Sequence, residues 1–286
     1  MARSSPAKAA TDTGEIRGAT ASPRGILTWG ESFALWPWDG SEPHILERGR
    51  NYGRAGCFAA GHLFLLEDGR RLIRHQPRLV IEDDTQTSDL LWTRLHGEDG
   101  LLYIHLDAQL RFWTPRGVEE IYSIYTPSRQ GGLITVDLDG DSRAELLCGN
   151  YWLRDSGRRG AAWRLFALNT YFAGEDSALA RLCWVDRPRG LLWASRERLV
   201  FHRPPPRLEE LWPATPIEVP GLGEPHAWLS SSNPLLAHSR GVHAFRWDGA
   251  HWQARELTSG GPWVALLSRG GVVWAVNQSH PVCLAP

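Results

Sequence analysis

An all-β fold of the propeller kind is predicted by three features of this chain. Short β-prone runs recur between Gly, Pro, Asp and Asn. A strand-turn-strand pattern ending in Trp-Asp-Gly occurs near both ends. Sets of such strands restart with a period of about 40 residues. The runs come in order at 26–29, 33–38, 62–66, 79–81, 90–95, 101–106, 110–113 and 119–124. They continue at 133–136, 179–185, 191–194, 199–201, 227–230, 242–247, 252–257, 263–267 and 272–276. No stretch carries a long amphipathic helical period, and 163–172 reads either way. Residues 27–40 and 236–249 align as strand, tight turn and strand, closing on Trp38-Asp39-Gly40 and Trp247-Asp248-Gly249. Such turns fit the hairpin between the third and fourth strands of a blade. Further strand sets begin near Ala55, Ser88, Gly131, Ser177, His226 and Pro262, 33 to 49 residues apart. The first and last units supply about three strands each. Kept apart they give seven blades, the preferred count; merged they give six. The ring is expected to close by pairing of the terminal strands. A two-sheet sandwich is the alternative architecture.

Composition places the chain among ordinary soluble globular domains, with 42% hydrophobic and 22% charged residues. Residues 1–24 are small, polar and rich in Pro, Ser and Thr, and are expected to be a mostly disordered tail; 25–286 form a single domain. A net charge of -1 gives no support for a nucleic-acid partner. No apolar run is long enough for a membrane-spanning helix. The first residues lack the apolar segment of a signal peptide, so a cytoplasmic location is expected; a chain that had lost a leader would instead be secreted. The four cysteines, Cys57, Cys148, Cys183 and Cys283, lie in apolar runs without Cys-x-x-Cys spacing and read as buried free thiols.

Fifteen tryptophans make the chain unusually indole-rich. Most sit in or beside strands, where flat rings would fill the wedge between blades. The sharper reading puts some of them, above all Trp228 and Trp263, in a funnel that stacks sugars or prolines.

The most specific segment is Asp137-Leu-Asp-Gly-Asp-Ser-Arg-Ala-Glu145, between two apolar runs. Asp137, Asp139, Asp141 and Glu145 stand at loop positions 1, 3, 5 and 9, and the carbonyl of Arg143 is available at position 7. Hard cations such as calcium want an oxygen cage of this kind. The loop is not an EF-hand, since Cys148 stands where the bidentate Glu belongs and Ser142 where the Gly belongs. Residues 134–150 resemble the FG-GAP or VCBS-type repeat, a family that builds propeller blades and holds calcium in a hairpin loop. The resemblance covers about half a blade and appears once. It departs from the family at Ser142, which usually is Gly and is strained if φ is positive there, and at Glu145, which usually is Asp. Structural calcium on Asp137, Asp139, Asp141, Arg143 and Glu145 is what the resemblance implies. The bland reading is an Asp-Gly hairpin turn without metal.

Propellers bind ligands at the central funnel, whose mouth is lined by the loops leading into each innermost strand. Here those loops carry Tyr52, Arg54, Asp89, Arg129, Glu175, Asp176, Glu224, His226 and Trp263. Arg54 or Arg129 suits a carboxylate clamp. Arg54, Arg129, Asp176 and His226 are the candidate catalytic set, with Glu175 or Asp176 beside His226 for acid–base work. No phosphate loop, nucleophile elbow or His-Glu-x-x-His motif is present. The leading expectation is therefore a noncatalytic propeller presenting its funnel or rim to a peptide, protein or glycan. The alternative is a propeller-type lyase, hydrolase or isomerase acting on a small molecule or peptide in the funnel.

Overall fold

A computed structural model describes residues 13–87, 89–106, 109–123, 131–158, 160–169, 180–196 and 198–284. The described residues form antiparallel sheets and no helix, hence no helix long and apolar enough to cross a membrane. Blade 1 comprises β1 (Ile16–Ala21), β2 (Gly25–Gly30), β3 (Ser32–Pro37) and β4 (His44–Arg48). Blade 2 has β5 (Tyr52–Ala59), β6 (His62–Glu67), β7 (Arg71–Arg74) and β8 (Leu79–Glu82). Blade 3 has β9 (Leu90–Leu95), β10 (Glu98–His105), β11 (Gln109–Thr114) and β12 (Gly117–Ser123). Blade 4 has β13 (Leu133–Val136), β14 (Glu145–Cys148), β15 (Tyr151–Arg154) and β16 (Arg164–Ala167). Blade 5 has β17 (Arg181–Asp186), β18 (Arg189–Ala194), β19 (Leu199–His202) and β20 (Ala214–Pro216). Blade 6 has β21 (Pro225–Leu229), β22 (Leu235–His238), β23 (Gly241–Trp247) and β24 (Trp252–Ser259), and blade 7 has β25 (Trp263–Arg269), β26 (Val272–Asn277) and β27 (Pro281–Leu284).

Each blade is an antiparallel meander in sequence order. The first strands touch one another in a closed cycle, β1 to β5 to β9 to β13 to β17 to β21 to β25 and back to β1. They therefore surround the central axis, and the molecule is a seven-bladed propeller.

The core is divided among the gaps between blades. Seven apolar clusters are present, one for each pair of neighbouring blades. All fifteen tryptophans belong to these clusters, which assigns them to packing. Trp29 shows the fit. Its indole lies against Gly18 of its own blade and Gly56 of the next, where an added Cβ would come within 2.4 and 2.6 Å of ring atoms. Its Nε1 donates to the Gly53 carbonyl at 3.0 Å, tying blade 1 to blade 2.

Two expectations are corrected. The stretch assigned to a tail carries β1, the innermost strand of blade 1, with Ile16 buried against Val264, Ala265 and Val276 of blade 7. Residues 1–12 lie outside the described residues. The terminal strands also do not pair. Among the described residues β1 bonds to β2 and β27 to β26, and no sheet contains both chain ends. Blade 1 has four strands of its own and needs none from the C-terminus. The ring closes instead by packing of blade 7 on blade 1, with Trp36, Trp38 and Trp274 at the joint. The Ile16 N–H also donates to the Gln278 carbonyl at 2.8 Å. The Trp-Asp-Gly turns do link third and fourth strands, β3 to β4 and β23 to β24. The Asp248 carboxylate accepts the Ala250 and His251 N–H groups there, at 2.9 and 2.7 Å. The described structure has four free cysteines; Cys148 and Cys183 are buried, but Cys283 is exposed on the outer strand of blade 7.

Trp29→Ala should empty the gap between blades 1 and 2 and lower stability by about 3–5 kcal/mol. Urea unfolding followed by circular dichroism measures this. A loss below about 1 kcal/mol would mean that the indole is not a joint between blades.

Candidate functional site

Because every blade is a meander begun at the axis, the innermost strands all run the same way. Their first residues meet at one mouth of the channel. Arg54 on blade 2 reaches Glu224 on blade 6, Nη1 to Oε1 at 3.0 Å, across 170 residues of sequence. A second guanidinium, of Arg196 on the turn after β18, lies 3.4 Å from the other oxygen of Glu224. Burial opposes ionisation of Glu224, but the two arginines and His226 outweigh it and hold the carboxyl below its usual range.

Arg181, the first residue of β17, sits deeper. Its Nε donates to the His226 carbonyl at 3.1 Å and its Nη1 to the Ala180 carbonyl at 2.7 Å. Burial depresses its pKa; Asp89 acts against that shift, Arg54 adds to it, and Glu224 opposes it again. Groups from blades 2, 3 and 6 converge on one side chain only near the axis. The charge itself persists, because guanidinium stays protonated in proteins. Asp89, on blade 3, accepts the Leu90 and Leu133 N–H groups at 3.0 and 2.9 Å. Its pKa is raised by burial, against the pull of Arg181.

His226 is buried with Nδ1 donating to the Trp263 carbonyl at 2.7 Å, while Nε2 faces Glu224 Oε1 at 3.8 Å. Burial and the charge of Arg54 push its pKa down to about 4, so it is neutral near pH 7. The segment bearing Glu224 is pinned from behind by His238. That ring is fully buried and its Nδ1 accepts the Gly223 and Arg240 N–H groups, each at 3.2 Å. Nδ1 is thereby the unprotonated nitrogen, and Nε2–H donates to His243 Nδ1 at 2.9 Å. Beside the mouth lies a recess of about 480 Å³ walled by Arg196, Arg240, Glu224 and Ser239 with Val219 and residues 221–223.

Several sequence-predicted positions fall elsewhere. Tyr52 is buried between blades 1 and 2, with its hydroxyl on Glu47 at 3.3 Å and its ring against His75. Trp263 gives the channel only its carbonyl, since its indole is buried in the gap between blades 6 and 7. Trp228 packs between blades 5 and 6 and donates to the Arg181 carbonyl. Arg129, Glu175 and Asp176 lie outside the described residues. Arg54, Asp89 and His226 do come together. Sequence reasoning passed over Arg181 and Arg196; an arginine opening an apolar run at the start of a strand set was the available signal for Arg181.

At the opposite end, the hairpin between β13 and β14 brings Asp137, Asp139 and Glu145 together, with ligand oxygens all within 4.8 Å. Asp137 accepts the Gly140 and Ser142 N–H groups at 2.6 and 3.0 Å, and Glu145 accepts that of Leu138 at 2.7 Å. Ser142 has φ of 68°, the left-handed conformation that glycine supplies more cheaply. Burial, then the charges of Asp139 and Asp141, push Glu145 up to about 7, against its bond from Leu138. Crowded carboxylates of this kind fit a hard cation, which would relieve their repulsion. Asp141 does not join them. The Arg143 side chain holds it through Nε at 2.8 Å and Nη2 at 2.5 Å. Arg189 of the next blade donates to the Leu138 carbonyl at 2.6 Å and lies over the Trp184 ring.

No protein-family model matches the chain, and no curated protein sequence matches it. Solved structures do. The chain is similar to YCF48 bound to D1 peptide, at 12% identity and TM-score 0.57, over 95% of this chain and 91% of that one. It is similar to YCF48 from Cyanidioschyzon merolae, at 12% identity and TM-score 0.58, over 94% of each chain. The computationally designed Ika8 protein gives 9% identity and TM-score 0.58, over 96% of this chain and 97% of that one. The likeness is one of fold.

Acid should weaken the fold in a defined window. His202, His226 and His238 each have a folded pKa near 4, below the ordinary 6.5. Between those values the unfolded chain binds protons that the folded chain refuses. Their contribution to stability is thus whole above about 6.5 and is lost as pH falls toward about 4. Urea midpoints should drop across that window, and less steeply in His238→Gln. Equal slopes in the two proteins would refute a neutral, buried His238.

Proposed function

We propose that the protein is a noncatalytic binding propeller whose channel mouth, with the recess beside it, receives an acidic segment of a peptide or protein. One observation carries the reading: among the described residues, three guanidinium groups, of Arg54, Arg181 and Arg196, face two carboxylates, of Asp89 and Glu224. The mouth is thus positive in a chain of net charge -1. Low-dielectric walls strengthen such a field and draw anions to it. Arg240 on the wall of the recess adds to it. A peptide suits the site better than a glycan, because the indoles that would stack a sugar are packed between blades. A propeller of the same fold bound to a peptide supports this choice of ligand class.

Acid–base catalysis receives little support. A general base works best with a pKa near the ambient pH, and His226 lies well below it.

Calcium on Asp137, Asp139 and Glu145 belongs to the same proposal, in a structural role that fixes the hairpin of blade 4. Asp141 would join only by leaving Arg143.

A synthetic peptide library on beads tests the site. Captured sequences should be enriched in Asp and Glu, and Arg54→Glu with Arg196→Glu should cut capture at least about tenfold. Enrichment in basic or neutral sequences would overturn the reading. For the metal, thermal unfolding with calcium and with a chelator should differ, by about 2.7 kcal/mol at a hundred times the dissociation constant. Asp139→Asn should abolish the difference. Identical transitions in the wild type would reduce the loop to a metal-free turn.

A further inference from the structure

Resting on that reading and deepening it, we propose that Arg181 holds a single carboxylate inside the channel, supplied by the free C-terminus of the bound chain. A guanidinium carries five N–H donors, and Arg181 spends two of them, on the carbonyls of His226 and Ala180. The other three have no protein acceptor among the described residues. The two bonds, one from Nε and one from Nη1, fix the plane of the fork and leave its remaining N–H groups unbonded to the carbonyls of His226 and Ala180. Asp89 and Glu224 oppose its charge only through space, since neither forms an ion pair with it within 4.0 Å. Asp89 spends both oxygens on backbone N–H groups. A half-buried guanidinium with three idle donors suits an anion, which its planar fork can hold through two parallel bonds.

Charge and width narrow the occupant. Among the described residues the three arginines nearest the axis exceed the two carboxylates by one, and Arg240 of the recess adds a further positive charge, so the mouth takes an anion. A planar carboxylate matches the guanidinium fork. The bore is narrow enough at its mouth for one ion pair, Arg54 to Glu224, to bridge blades 2 and 6. A chain end brings a single strand of polypeptide to such a bridge, where a loop brings two. Glu224 tolerates the exchange. When the incoming carboxylate takes Arg54, Glu224 keeps Arg196 as its partner.

Two probes test the assignment. The first is acetate, with acetamide as control, titrated while the Nε–Hε signal of Arg181 is followed by NMR; Arg181→Gln assigns the signal. The second is a set of bead-selected acidic peptides made with a free or an amidated C-terminus. Acetate should shift the signal where acetamide does not. Free-acid peptides should bind at least about tenfold more tightly than their amides, and Arg181→Gln should bring that ratio close to one. The ratio is internal to each protein, so a general loss of stability in the variant does not mimic it. A shift with acetate but no difference between acid and amide would keep the carboxylate site and refute the chain end as its source. Peptides that bind with no preference, together with an unmoved Arg181 signal, would overturn the inference and leave the proposed function standing. An acetate shift with no peptide bound at all would overturn both the proposed function and the chain end as occupant, and leave Arg181 as a site for a small carboxylate.

Discussion

Everything at the channel mouth depends on one geometric constraint: seven sheets, each a meander begun at the axis, must all start from the same end. The polypeptide then returns to that end at the start of every blade, and residues remote in sequence become neighbours. Arg54 and Glu224 meet for this reason, although three blades lie between them on one side of the ring and two on the other. The same constraint sends the hairpin of blade 4 to the far face, so the acidic loop and the basic mouth occupy opposite ends of the molecule. The carboxylates of that loop and the arginines of the mouth therefore do not cancel each other's field.

Packing between blades explains which parts of this architecture were legible in the amino-acid order. The outer hairpins announce themselves. Asp39 and Asp248 hold their turns by accepting backbone N–H groups, and that chemistry is written into Trp-Asp-Gly. The innermost strands of blades 1 and 2 are quieter. Where an innermost strand must admit a large ring from a second strand, as β1 and β5 do, it takes small residues at that point. Gly18 and Gly56 yield their space to Trp29, which makes β1 read as Ile-Arg-Gly-Ala-Thr-Ala, indistinguishable by composition from a tail. Hydrophobic periodicity registers what a strand buries with its own side chains, not what it makes room for.

The candidate site divides along the same line. Asp137, Asp139 and Glu145 were readable because they are local, and three alternating carboxylates fold inward in any tight hairpin. Asp141 was misplaced by the same logic, since the pattern cannot show that Arg143, two residues on, competes for it. At the mouth, Arg54, Asp89 and His226 were found from their place ahead of strand sets. Arg181 was not, because its importance comes from what fails to reach it: two carboxylates nearby, both committed to other partners. Tyr52 and Trp263 carried the right position but the wrong direction, their rings turning into the gaps.

Each gap between neighbouring blades contains at least one indole, from Trp29 between blades 1 and 2 to Trp36, Trp38 and Trp274 between blades 7 and 1. The protein therefore carries its own optical reporter at every joint of the ring. Its ultraviolet emission is a sum over all seven joints, and water entering any one of them reddens part of that light. A partner that merely rests on the rim leaves the colour unchanged, whereas one that pries two blades apart announces itself without a label.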